Sequence, residues 1–294
     1  MEWRTDLAIE RQEILGTQTD GIETQEDMHG NIRITRMRIV SEQAAERLGK
    51  GVGLYITIGT PPLGSVSGYD AESVEAAARE IASLLPEAGG VLVIGLGNTR
   101  ITPDALGPRA ASAVLATRHI TRELADRTGL GPLREVSVLS PGVLGQTGME
   151  TGEIIRAVVR ELSPAAVITV DALASARLDR LGCTVQMTDT GITPGSGVGN
   201  ARARIDRETT GVPVISIGIP TVVDALTLAA ELTDRSPQEQ ELEKNVEPHG
   251  ERMIVTPREI DLLVEHAAKL VGLAIGRALQ PHIPIQDMLA LTAE

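Results

Sequence analysis

VLVIGLGNTRITPDALGP, residues Val91–Pro108, is the stretch on which the reading of the fold turns. Val91, Leu92, Val93 and Ile94 predict a strand buried on both faces, and Gly95, Gly97 and Asn98 break it at what becomes the carboxyl edge of a sheet. In open α/β folds ligands and chemistry gather at that edge. Asp104 follows between Pro103 and the expected start of a helix, so a carboxylate is displayed where such a site needs one.

The same beat runs outward in both directions. Upstream, Asp70 is a plausible N-cap for a helix carrying Val74, Ala77, Ala78, Ile81 and Leu85 until Pro86 stops it. Downstream, a helix is expected from Asp104 to about Arg127 through Ala111, Val114, Leu115 and Leu124, then a strand at Glu135–Leu139 and a helix capped by Thr151. Ala166–Val170 reads as a buried strand ending at Asp171, the second carboxylate at a strand's carboxyl end. Further strands are expected at Gly53–Ile58, Cys183–Thr188 and Val212–Ile219, with a helix opening at Pro220 and Thr221. Strand and helix in alternation imply one α/β domain over residues 1–294, with a mostly parallel central sheet flanked by helices. The expected appendages are an irregular N-terminal segment, 1–41, with an exposed or edge strand at Asn31–Ile39; a charged loop, 233–252; and a C-terminal helix, 256–280, announced by Thr256, Pro257 and Glu259. Gly191–Asn200 is too rich in glycine to be regular.

Composition narrows the function classes. The net charge of −13 disfavours direct nucleic-acid binding, and with no Phe and only Trp3, Tyr55 and Tyr69 as aromatics the chain lacks platforms on which bases stack. Cys183 is alone, so no internal disulfide forms and a reducing, intracellular setting is expected. No window is apolar enough to span a membrane.

Asp104 and Asp171 are the residues most able to do chemistry, provided the strands ending near Ile94 and Val170 are neighbours. Two close carboxyl groups cannot both ionise easily, and such a pair can activate water and protonate a leaving group. The plainer alternative makes Asp104 a helix cap and Asp171 a hydrogen-bonded strand terminus. Asp224 fits a helix-capping role with Thr221 better than a catalytic one. The Gly95–Asn98 pattern is G-x-G-N, which argues against a dinucleotide site, and Pro194–Asn200 has no P-loop ending. His29, His119, His249, His266 and His282 form no H-x-x-x-H pair; His119, expected on a helix, is the one that could reach the site, though a structural role fits it better. No G-x-S-x-G elbow is present. No metal and no cofactor are expected.

Seven segments together carry a resemblance: RTDLA at Arg4–Ala8, GLGN at Gly95–Asn98, TPDALGP at Thr102–Pro108, PGVLGQTG at Pro141–Gly148, VDALA at Val170–Ala174, DTGITPGSGVGN at Asp189–Asn200 and IGIPTVVDA at Ile217–Ala225. They closely resemble the germination proteases of spore-forming bacteria, atypical aspartic endopeptidases whose fold is similar to that of the hydrogenase-maturation endopeptidases. The resemblance implies hydrolysis of small acid-soluble spore proteins at germination, in the cytoplasm of the forespore and the spore core, by a homotetramer. It assigns catalysis to Asp104 and Asp171. Gly95, Gly97, Asn98, Gly195, Gly197 and Asn200 are expected to shape the substrate groove. Relatives are made as zymogens cut near an RTDLA-like stretch, so Arg4, Thr5 and Asp6 are expected to form an autoprocessing segment; with only Met1–Trp3 ahead of Arg4, either the prosegment is nearly absent or a different bond is cut. The charged loop is expected to be shorter than its counterpart in longer relatives. Two other readings stay open: a metal-dependent maturation peptidase, and a non-catalytic scaffold that binds spore proteins.

Overall fold

Along β4 (Val91–Gly95), Val91 and Val93 enter one apolar cluster, and Leu92 and Ile94 enter another on the opposite face. A strand buried on both faces must lie between layers of helices. The computed structural model describes residues 3–16, 20–65, 70–194, 203–233, 240–247 and 249–292. Its other strands are β1 (Ile22–His29), β2 (Ile32–Ile39), β3 (Gly53–Gly59), β5 (Val136–Leu139), β6 (Ala166–Ser175), β7 (Thr184–Thr188), β8 (Val214–Asp224) and β9 (Ile254–Val255). The helices are α1 (Ala8–Leu15), α2 (Glu42–Leu48), α3 (Ala71–Leu84), α4 (Leu106–Ser112), α5 (Arg122–Thr128), α6 (Leu144–Thr147), α7 (Thr151–Leu162), α8 (Arg207–Thr210), α9 (Ala225–Thr233), α10 (Gln240–Val246), α11 (Ile260–Leu279) and α12 (Ile285–Thr292).

The strands form one nine-stranded sheet in the order β1-β2-β3-β7-β8-β6-β4-β5, with β9 added to β8. The α/β reading holds, a central sheet with helices on its faces. Its parallel part is confined to β5, β4, β6 and β8; β1, β2, β3, β7 and β9 join by antiparallel pairing, so the sheet is mixed rather than mostly parallel. Helices α3, α4 and α11 cover one face through Val74, Ile81, Leu106, Val264 and Val271. On the other face α7 covers the parallel half through Ile155 and Val159, and α2 packs Ala44, Ala45 and Leu48 against Met37, Ile39 and Tyr55 of the antiparallel half.

Several expectations shift for identifiable reasons. The 1–41 segment is not irregular: it supplies α1 and a β1–β2 hairpin, and β2 is an inner strand between β1 and β3. The helix expected from Asp104 to Arg127 is broken, because Thr117 leaves it to donate from its N–H to the Val136 carbonyl at the end of the sheet, and Thr121 then caps a new helix, α5. His119 therefore lies between helices and not on one. Pro220 and Thr221 do not open a helix; β8 continues to Asp224, with all eleven residues buried, because β6 pairs with it as far as Ser175 and Val223. Within 233–252 the segment holds α10, whose Leu242 and Val246 pack with Trp3 and α9. The C-terminal helix begins at Ile260 rather than near Thr256, since Val255 and Ile254 are drawn out as β9 against Val223 and Asp224.

Candidate active site

The parallel register of β4 against β6 ends at Gly95 and Val170, and the Leu96 N–H adds one further bond to the Val170 carbonyl at 2.8 Å. The next residue on β6 is Asp171. On the β4 side the chain turns through Asn98 into a single 3-10 turn, Thr102–Asp104, which the Asn98 N–H holds by donating to the Asp104 carbonyl at 3.1 Å. From β8, the Thr221 hydroxyl donates to the Pro103 carbonyl at 2.8 Å and ties this turn to the centre of the sheet. The two strand ends are therefore neighbours, as the dyad reading requires. Asp104 and Asp171 line the same cavity, of about 850 Å³, at the junction of the parallel and antiparallel halves.

Glycines set how close the backbones come. A Cβ at Gly107 would lie 2.1 Å from the Leu96 carbonyl oxygen and 2.4 Å from that of Val170, so α4 seats directly on the two strand ends. Gly95 faces the same contact, 2.3 Å from the Gly107 oxygen, and does not line the cavity as expected of a groove residue. Gly97 and Asn98 do line it. Gly97 holds a φ of 121°, and a Cβ there would meet the Asp104 carbonyl oxygen at 2.0 Å. The Asn98 side chain is engaged locally, its Oδ1 accepting from the Arg100 N–H at 3.0 Å and from Gln146 Nε2 at 2.8 Å. Gly195, Gly197 and Asn200 lie outside the described residues.

Electrostatics separate the two carboxyls. Burial pushes Asp104 above the usual carboxylate range, and a bond from the Asn98 amide opposes the shift. Asp171, 6% exposed, is pushed well above that range, by burial first and then by the negative charges of Asp104 and Asp6; the Ala172 N–H, which donates to its Oδ1 at 2.9 Å, opposes the shift. The charge of Asp104 thus acts on Asp171, whereas the shift of Asp104 itself comes from burial. A carboxyl that keeps its proton beside one that yields it more readily can donate to a carbonyl while its neighbour takes a proton from water. Among the described residues no group of three or more His, Cys, Asp or Glu side chains is placed to hold a metal ion.

Of the expected autoprocessing residues, Asp6 lines the cavity, Arg4 pairs with Asp224 at 2.8 Å, and Thr5 is buried with its hydroxyl donating to Glu10. Asp224 is structural, as expected, although it serves α9 directly by accepting from the Thr227 N–H at 3.0 Å. Sequence reading missed Lys50 and Gln186, which reach the cavity from the antiparallel half. For Gln186 a signal existed, a polar amide between Val185 and Met187 in a strand expected to be buried; Lys50 follows a helix-ending glycine and gives none.

No helix among the described residues is long and apolar enough to cross a membrane. A solved structure, the [NiFe] hydrogenase maturation protease HycI from Thermococcus kodakarensis, aligns with a TM-score of 0.37 and 16% identity, covering 67% of this chain and 98% of its own. The germination protease of Caldanaerobacter subterraneus subsp. tengcongensis is 42% identical over 97% of this chain and 96% of its own length. That of Clostridium tetani is 36% identical over 98% of each, and that of Priestia megaterium 33% identical over 98% of this chain and 96% of its own. The family model for germination proteases matches residues 4–236. On that match and those near full-length relatives, this chain belongs to the germination protease family, proteases of germination.

Proposed function

We propose that this protease is an endopeptidase that hydrolyses small acid-soluble spore proteins, with water activated between Asp104 and Asp171. The observation that carries this reading is the cavity shared by the two carboxyls, where burial first, and then the negative charges of Asp104 and Asp6, favour the protonated form of Asp171. Asp104, the more exposed of the two, takes a proton from water as the oxygen attacks the scissile carbonyl, and Asp171 gives its proton to the carbonyl oxygen. Asp104 then passes its proton to the leaving nitrogen as the C–N bond breaks, and the collapsing diol returns a proton to Asp171. Both carboxyls regain their starting states.

Asp104→Asn and Asp171→Asn should each lower cleavage of an α/β-type small spore protein by at least ~10³-fold, with circular dichroism unchanged. Wild-type rates in both variants would end the dyad reading. Rates restored by added metal, and lost in chelator, would favour a metal-dependent peptidase instead.

A further inference from the structure

The short helix α6 meets the turn after β4 through two side-chain amides, and the main chain decides which way each one faces. Asn98 Oδ1 accepts from the Arg100 N–H at 3.0 Å and from Gln146 Nε2 at 2.8 Å. A backbone N–H can only donate, so the atom that Arg100 meets is the amide oxygen of Asn98. Gln146 must then offer Asn98 its nitrogen, and its own Oε1 accepts from the Val143 N–H in a longer bond of 3.4 Å. With its oxygen doubly engaged, Asn98 is left with a nitrogen, Nδ2, that has no partner among the described residues.

The surroundings give that nitrogen a use. Asn98 lines the cavity of the two aspartates, whereas Gln146 does not. The Asn98 N–H donates to the Asp104 carbonyl, so its backbone is fastened to the turn that carries the catalytic carboxyl. Three other donors that line the cavity are spent: Lys50 Nζ and Gln186 Nε2 both donate to the Asp6 carbonyl, at 2.8 and 2.9 Å, and the Thr221 hydroxyl donates to that of Pro103. In the peptidase mechanism Asp171 gives its proton to the scissile carbonyl oxygen, which has two lone pairs and therefore room for a second donor. Negative charge grows on that oxygen as water attacks. A neutral N–H held there in advance stabilises it more in the transition state than in the bound peptide.

We propose that Asn98 Nδ2 is a catalytic hydrogen-bond donor to the scissile carbonyl oxygen, and that Gln146 is a positioning residue that keeps the amide turned for it. The assignment rests on the peptidase reading of the cavity. Asn98 lends a hydrogen bond and never a proton, so the bonds made and broken in the reaction are unchanged. Helix α6 then acts on the reaction at one remove, through the amide of Asn98.

The test is steady-state cleavage of an α/β-type small spore protein, with kcat and KM measured separately across the pH range of activity. Asn98→Ser keeps an acceptor for the Arg100 N–H, adds no charge and removes the donor; kcat should fall about 10²-fold at every pH, with KM changed by less than about threefold and the circular dichroism melt close to the parent's. Asn98→Asp keeps both accepted bonds, so a purely structural Asn98 would tolerate it. It should lose kcat as Asn98→Ser does, and the maximum of its pH profile should stay low even where the added carboxylate shifts the optimum. Gln146→Met should lower kcat about tenfold alone and do nothing more in the Asn98→Ser background, because it acts through Asn98. Parent kcat in Asn98→Ser and Asn98→Asp would overturn the donor, and a Gln146→Met loss that persists in full beside Asn98→Ser would overturn the positioning role. Asp104→Asn and Asp171→Asn, run alongside, separate the two readings. If they are inactive while the Asn98 variants match the parent, the donor falls and the dyad stands; if they match the parent while Asn98→Ser has lost kcat, the dyad falls and the donor stands.

Discussion

Gly97→Ala separates the fold from the site most sharply. The added Cβ would stand 2.0 Å from the Asp104 carbonyl oxygen and 3.3 Å from its Oδ1, at a φ of 121°. An ordinary carbon–oxygen contact is about 3.3 Å, so the turn bearing Asp104 must retreat by roughly 1 Å or more. Backbone strain of about 1–3 kcal/mol and overpacking of similar size give a loss of roughly 2–6 kcal/mol, or about 4–24 °C in melting temperature at roughly 2–4 °C per kcal/mol. Displacing a reacting group by 1 Å costs on the order of 10²-fold in rate. Gly129→Ala is the control, since Gly129 has a φ of 74° with nothing within 4 Å of the added carbon: it should show the strain alone, about 1–2 kcal/mol, and full activity. Circular dichroism melts and cleavage of a small spore protein read both effects. A Gly97→Ala protein that loses no more stability than Gly129→Ala and cleaves at the parent rate would refute the reasoning.

Two further outcomes follow from the same cavity. Asp171's carboxyl is raised well above 3.8, so the folded chain holds a proton that the unfolded chain releases; this stabilisation is complete below the unfolded value and is lost as pH rises through the folded one. Urea midpoints measured from about pH 4 upward should therefore fall more steeply for the parent than for Asp171→Asn, and equal slopes would contradict the assigned burial. The Arg4–Asp6 run is read as a processing segment, so mass spectrometry after mild acidification should find a product that begins within or just after it; an N-terminus always at Met1 or Glu2 would exclude this.

Val91–Ile94 and Ala166–Val170 were legible because strands buried on both faces need unbroken apolar runs, and Asp104 and Asp171 because they follow such runs directly. In the antiparallel half β2, β3 and β7 were legible as strands, but β1 was not, since it reads IETQEDMH and is exposed along almost its whole length, leaving no alternation to detect. Nor was the continuation of β8 past Pro220, where the spacing of Val222, Ala225 and Leu226 suits a helix and only the pairing with β6 decides for a strand. Lys50 and Gln186 escaped notice because their role comes from a third segment, Asp6, remote from both in sequence.

The position of the cavity at the seam between the two halves of the sheet has a kinetic consequence. Asp171 comes from β6 and Asp104 from the turn between β4 and α4, and β4 pairs with β6 over a separation of 75 residues, Val91 with Ala166. The wall opposite requires β3 to meet β7, and there the Leu54 N–H reaches the Asp189 carboxylate from 135 residues away. The extra loop entropy of the longer closure is small, about 0.6 kcal/mol per doubling of length, but pairing between distant segments slows folding. The two carboxyls should therefore come together before β3 joins β7, read as earlier hydrogen-exchange protection of β4 and β6 than of β3 during refolding; simultaneous protection would contradict this order.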